Sequence, residues 1–284
     1  MKNKIYHTTQ PACRLRMIVG LLLFVAAGMS AASTPILVID SLNKKLPQLK
    51  GEERLAAMEA IYNQSLLIGD FDLQLKVLDE WQTEAHRQGN TVAEAEARVN
   101  RILDYFNEAI YDSIFSLSHD MMEFSEEHGM VRQKMQAWHM LVGAYHFTGQ
   151  YNQALREVKM MYEEAHRLGS EYGESMAYFN MGNVYYSMSH YEESVDAFEK
   201  SIPLMRNIDQ SVLLEIYPYY CDALDALHQY DKLESATVDW KKQRNCSMRL
   251  PFMCQRRITT SGSICCSIVL NCVCFKVAMR RLSS

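Results

Sequence analysis

Between Trp138 and Tyr145 the apolar residues fall at 138, 141, 142 and 145, and forty residues later the pattern returns at Tyr178, Met181, Gly182 and Tyr185. Intervals of i, i+3, i+4 and i+7 place such residues on one face of a helix. No proline occurs between Gln48 and Ile202, so the spacing predicts uninterrupted helices joined by short turns. Four further series keep the same step of 40: Gly89, Gly129 and Gly169; Tyr105, Tyr145 and Tyr185; Phe71, Tyr111, Tyr151 and Tyr191; Gly69, Ala109, Gly149 and Ser189. The chain is therefore expected to repeat a unit of about 40 residues, each unit a helix pair.

The glycines of the first series mark helix ends, because glycine adopts the left-handed conformation that closes a last helical turn. His86-Arg87 and His166-Arg167 precede two of them, setting cationic side chains against the negative end of the helix dipole. A single pair cannot bury its apolar stripe, so stacked pairs share a continuous core.

These positions resemble those of the tetratricopeptide repeat. That family places a large aromatic, then Leu-Gly and Tyr on a first helix, a small residue and Tyr at the turn, and Ala, Phe, Ala on a second. Trp138, Leu141, Tyr145, Gly149, Tyr151 and Ala154 match in one unit. Tyr178, Met181, Gly182, Tyr185, Tyr191, Ser194, Phe198 and Ser201 match in the next, with serine in place of two alanines and Ser189 in place of the turn glycine. Tyr105 and Tyr111 survive in an earlier unit, Gly69 and Phe71 in the first. Tyr217, Leu224, Tyr230, Leu233 and Trp240 suggest a fifth, whose first helix Pro218 is expected to strain.

The resemblance implies an all-α, right-handed superhelical solenoid of about five antiparallel helix pairs over residues 55–242, preceded by a lead-in or capping segment at 33–54. It also implies that the inner face of the first helices lines a groove. The candidates there are Asn100, Leu103 and Asn107, then His139 and His146, then Asn180, Asn183 and Tyr186. Asparagine suits peptide recognition because one amide both donates to and accepts from a backbone. Asn180 and Asn183 resemble the asparagines by which some family members clamp a peptide, although the basic residues that complete a carboxylate clamp are missing. Within "GNVYYSMSHYEESVDAF" (182–198), Tyr185 and Tyr191 are thus assigned to packing with Phe198, and Tyr186 to the groove with Asn183. On that assignment Tyr185→Ala removes a buried aromatic, worth roughly 3–5 kcal/mol.

Charge narrows the partners. Residues 1–32 hold four basic residues and no acid, and residues 243–284 hold seven basic residues and no acid. The stretch between keeps 18 basic against 34 acidic residues, a net of −16, which argues against binding nucleic acid. Lys2, Lys4, Arg14 and Arg16 precede the apolar run "MIVGLLLFVAAG" and the small residues Ser30 and Ala32, the layout of a secretory signal cleaved after Ala32. Its run of about 12 apolar residues is short of the roughly 20 needed to span a bilayer. A periplasmic or secreted location follows as an expectation. Only Cys221 lies in the repeat region, so no disulfide framework is expected there.

No catalytic or cofactor chemistry is legible. No histidine pair has the His-Glu-x-x-His arrangement of a zinc site, and His139 and His146 on one helix would stand about 10.5 Å apart along its axis, too far to share an ion. Phosphate-binding glycine loops and nucleophile elbows are absent. The expectation is a non-enzymatic scaffold without metal or cofactor, binding a protein or peptide. The alternative is the extracytoplasmic sensor region of a truncated signalling protein of histidine-kinase type.

The tail 243–284 carries six cysteines and no helical repeat. Three readings stand for it: a zinc site, for which Cys265-Cys266 and Cys272-x-Cys274 give poor spacing; a short membrane anchor from Gly262 to Phe275; or a frameshifted, non-native end, disordered and cutting off a longer protein. Oligomeric state is not legible.

Overall fold

The computed structural model describes residues 34–247, so the signal segment and residues 248–284 of the cysteine-rich tail lie outside the described residues, while 243–247 continue the last helix. Among the described residues the elements are eleven α-helices and one 3-10 turn. The chain divides between Asp70 and Phe71 into two compact units.

In the first unit, α1 (Pro35–Lys45) runs through a 3-10 turn (Leu46–Gln48) to α2 (Gly51–Ile68), and the two helices pack on each other. Pro35 starts α1 where its missing N–H costs nothing. Arg54 donates to the Leu46 carbonyl at 2.5 Å, tying the turn to the second helix.

The second unit holds α3 (Phe71–Arg87), α4 (Thr91–Asn107), α5 (Tyr111–Glu127), α6 (Val131–Phe147), α7 (Tyr151–Arg167), α8 (Glu171–Ser187), α9 (Tyr191–Met205), α10 (Gln210–Ala226) and α11 (Tyr230–Ser247). Each packs on the next. From α3 to α8 every helix has 17 residues and starts 20 residues after the last, so the 40-residue repeat is two near-equal halves.

That regularity is set at the turns. After α3, the Gly89 N–H bonds the His86 carbonyl at 3.0 Å and the Asn90 N–H bonds the Ala85 carbonyl at 2.9 Å, with Gly89 at φ 66°. This reciprocal closure satisfies carbonyls that the helix end would leave open. The same two bonds recur at Ala109–Ile110, Gly129–Met130, Gly149–Gln150, Gly169–Ser170, Ser189–His190 and His228–Gln229. Two series that look independent in sequence, the glycines after second helices and the small residues after first helices, thus do the same work. Ala109, Ser189 and His228 adopt positive φ without being glycine, at 58°, 62° and 59°. Left-handed backbone costs such residues about 1–2 kcal/mol, of which glycine's greater freedom in the unfolded chain returns roughly half. Ala109→Gly is therefore expected to stabilise the protein by about 0.5–1 kcal/mol, read as a raised urea midpoint. An unchanged or lowered midpoint would contradict this.

The prolines shift the period without abolishing it. Pro203 lies inside α9, which ends after 15 residues, and α10 then begins after a four-residue connection. Pro218, expected to strain its helix, sits inside a continuous 17-residue α10 and is buried. Burial of Leu213, Leu214, Ile216, Tyr217, Cys221 and Leu224 on the same helix supplies packing that outweighs the loss of one backbone bond.

The small positions predicted on the helix pairs are close contacts. Ala154, Ser194 and Ser201 are fully buried. The serines do more than stay small: Ser194 donates to the Gly182 carbonyl at 2.9 Å, and Ser201 and Ser175 each donate to the other's carbonyl at 2.8 and 3.0 Å. These bonds fasten α8 to α9. Gly182 is required for a second reason, since a Cβ there would stand 2.5 Å from the Phe198 ring.

Candidate functional site

The first helices of successive pairs also pack on one another, α4 on α6, α6 on α8 and α8 on α10. This continuous inner layer is where the sequence places the groove. Its candidates separate into struts and presented groups.

His139 on α6 reaches across to Asn180 on α8, Nδ1 to Oδ1 at 2.7 Å, and its ring lies over Phe179 with centroids 5.8 Å apart. Asn180 is buried, and its amide nitrogen points to Met161 Sδ at 3.8 Å. About two turns further along, His146 meets Ser187 of α8 at 2.6 Å through Nε2. Both histidines thus step 41 residues to the neighbouring first helix. Burial lowers both pKa values, that of His139 to about 4 against the opposing effect of its hydrogen bond to the Asn180 oxygen, so both rings are neutral at pH 7. His139, His146 and Asn180, expected on the groove wall, hold the wall together instead. A neutral imidazole and an amide satisfy each other at lower cost than either would unpaired.

Tyr185 and Tyr186 exchange roles. Tyr185 is half-buried, outside the side chains packed on the large core, with its ring nearly parallel to His190 at 6.2 Å. Tyr186 packs on that core, edge to face with Tyr191 and Tyr219, both at 5.8 Å. The 40-residue series put Tyr185 in line with Tyr105 and Tyr145, which do pack on the core, against Phe71 at 5.5 Å and Phe115 at 4.7 Å. No such ring stands over Tyr185. Tyr191 and Phe198 keep their packing roles. Trp138, Leu141, Tyr151 and Tyr178 also belong to the core or its edge, Trp138 donating through Nε1 to Glu157 at 3.0 Å.

Asn100 and Asn183 remain as presented groups. Asn100 on α4 is 7 % exposed, and its side chain makes no hydrogen bond within the protein. Asn183 on α8 is half-buried, and its Oδ1 is buried with no partner. A carbonyl oxygen buried as Asn183 Oδ1 is costs about 1–3 kcal/mol until something pairs with it. Asn107 is exposed at the last residue of α4, and Leu103 is half-buried beside it.

Two charged groups were not legible. On the inner layer, the Arg132 guanidinium of α6 lies 4.1 Å from the centroid of the Tyr172 ring of α8 and bridges to Asp209, the cap of α10, at 3.0 Å. Burial, with Asp209 and Glu215 adding, pushes the Tyr172 phenol up to about 12. Between α5, α6 and α7, the buried Lys134 bridges Glu126 at 3.0 Å and Glu164 at 2.8 Å. Hydrogen bonds from Arg167 and then Lys134 hold Glu164 down at about 2. The Arg132 contact does not recur at 40 residues; the Glu126–Lys134 bridge does, but with the charges exchanged, as His86–Glu94 at 3.0 Å and His166–Glu174 at 2.8 Å, so no single residue type marked it. Among the described residues no group of His, Cys, Asp or Glu is placed to hold a metal ion, and no helix is long and apolar enough to cross a membrane.

The tetratricopeptide repeat model matches residues 177–204, the latter half of α8 and most of α9. No curated protein matches the chain significantly. Among solved structures, BtubC (BKLC) from P. vanneervenii is similar over 75 % of this chain and 92 % of its own, at 15 % identity and a TM-score of 0.58. A Rap protein complexed with competence and sporulation factor is similar over 72 % of this chain and 57 % of its own, at 16 % identity and a TM-score of 0.57. NprR in complex with its cognate peptide NprX is similar over 78 % of this chain and 62 % of its own, at 18 % identity and a TM-score of 0.57. The chain thus spans most of the length of BtubC and about three fifths of the other two.

Proposed function

Since the chain is a tetratricopeptide-repeat-containing helical solenoid, we propose that it is a non-catalytic scaffold whose inner layer α4–α6–α8–α10 binds an extended peptide segment of a protein partner. The observation that carries this reading is Asn183 on α8, whose Oδ1 is buried without a partner; Asn100 on α4, with one first helix between them, is a second amide whose side chain makes no hydrogen bond within the protein. Packed helices stand about 10 Å apart, so the amides are separated by roughly 20 Å, a span of about six extended residues. Each would regain from a peptide backbone the bonds it lacks in the free protein. The competence and sporulation factor of the Rap complex and the cognate peptide of NprR are consistent with a fold of this kind taking such ligands.

The test is selection of peptides from a displayed random library, followed by fluorescence anisotropy on Asn100→Ala/Asn183→Ala. Loss of tenfold or more in affinity, with the melting temperature kept, is the expected result. Binding indifferent to both substitutions would refute the placement.

The basic N-terminus followed by an apolar run and Ala32 supports export, and on that reading the binding takes place outside the inner membrane. Cell fractionation separates this from the second reading, an extracytoplasmic sensor region of a longer signalling protein. The apolar stretch 262–275 followed by Lys276, Arg280 and Arg281 favours that second reading. Soluble extracytoplasmic protein supports the scaffold, and integral membrane association supports the sensor.

A further inference from the structure

On the opposite side from the inner layer, α9 and α11 bound a cleft of about 440 Å³ lying over α10. A departure from the repeat makes the room. In the preceding interval the ring of Tyr162 on α7 lies 5.2 Å from that of Tyr178 on α8, the counterpart of Tyr217 in the cleft. Forty residues on, the place of Tyr162 is held by Ile202, which has no ring to extend across, and Pro203 beside it lines the cleft.

The floor is apolar: Ile202, Tyr217, Tyr220 and Ala236 are all buried. An ion pair stands toward each end. Glu199 accepts from Lys232 at 2.7 Å and from the Tyr220 hydroxyl at 3.0 Å, and Arg206 bridges to Asp239 at 3.0 Å. Both cations of the lining are therefore matched. Asp231 also lines the cleft and makes no hydrogen bond or ion pair within the protein. Three carboxylates against two cations leave the lining one unit negative. Asp231 and Asp239 lie eight residues apart on α11, about 12 Å along its axis, so the cleft is elongated.

We propose that this cleft binds a cationic head on an aliphatic stem, the guanidinium or ammonium of an alkylamine or of an Arg or Lys side chain. The head pairs with Asp231 at the mouth, where no protein cation competes for it. The stem lies along Ile202, Pro203 and Ala236, and burying methylenes there adds to an ion pair that would be weak alone.

Agmatine and a short arginine-containing peptide, titrated into the full chain and followed by NMR shifts of α9–α11, test this. Saturable binding is expected, weakened tenfold or more by Asp231→Asn and abolished by Ile202→Tyr, which restores the residue of the preceding interval. Glutarate, an anion of similar length, should not bind. Agmatine binding as tightly as the peptide identifies a free small cation as the natural occupant, and a peptide tighter by tenfold identifies a side chain. No saturable binding of either probe, equal binding by Ile202→Tyr, or a preference for glutarate would overturn the proposal. Because Asn100 and Asn183 are on other helices, none of these results bears on peptide binding at the inner layer.

Discussion

Phe198→Ala is expected to lower stability by about 3–5 kcal/mol in urea unfolding, and Tyr185→Ala by only about 1–2 kcal/mol. Phe198 is fully buried on α9, its ring 6.4 Å from Phe179 on α8 and 6.3 Å from Tyr220 on α10. It also presses on the bare backbone of Gly182, so three helices close around one ring. Truncation would leave a cavity between elements already locked together by the Ser175–Ser201 and Ser194–Gly182 hydrogen bonds, which prevent collapse into the space. Gly182→Ala attacks the same contact from the other side and is expected to cost about 1–3 kcal/mol by overpacking. Tyr185 is only half-buried, with its ring beside His190, so its truncation removes less buried surface than that of Phe198. Equal losses for the two truncations would return Tyr185 to the core and refute the exchange of roles with Tyr186.

Acid should weaken the fold in two stages. The His139 pKa is about 4 in the folded protein, below its ordinary value of 6.5, because burial penalises the charged ring. As pH falls below 6.5 the unfolded chain takes up a proton at this site and the folded one does not, so stability is lost between pH 6.5 and about 4. The shift corresponds to up to about 3 kcal/mol. Glu164 supplies the second stage: its carboxylate is held at about 2 against 4.5, so its contribution, complete above pH 4.5, is lost as pH falls toward 2. His139→Gln, which keeps an amide donor opposite Asn180, is expected to shrink the upper stage to the part that buried His146 contributes, and to leave the lower one. Glu164→Gln should do the reverse, with a lower starting stability because Lys134 loses a partner. A ring that titrates near 6.5 by NMR in the folded protein would contradict the first stage.

The helix pairs, their turns and their close contacts were legible because each rests on a local rule repeated many times. The positive φ after each helix selects Gly69, Gly89, Gly129, Gly149 and Gly169, and the tight crossing of α8 and α9 selects Gly182, Ser194 and Ser201. Where the rule is satisfied without its usual residue, as at Ala109 and Ser189, the step of 40 still located the position. The candidate site was less legible. Asn100, Asn180 and Asn183 look alike in sequence, yet Asn180 is spent on His139 while Asn183 Oδ1 is buried without a partner and the Asn100 side chain makes no hydrogen bond.

By itself, then, the sequence determined the all-helical architecture, the length of its unit and the residues at its turns, since all three follow from backbone preference and apolar spacing along one chain. Only the tertiary structure decided which polar groups meet across helices: His139 with Asn180, Lys134 with Glu164, Arg132 with Asp209. It likewise decided that Tyr186, not Tyr185, faces the core, because adjacent helix positions differ by about 100° and the choice between them depends on where the next helix stands. The cleft beside Ile202 has the same origin, a side chain missing from a space that exists only once α9 and α11 are placed.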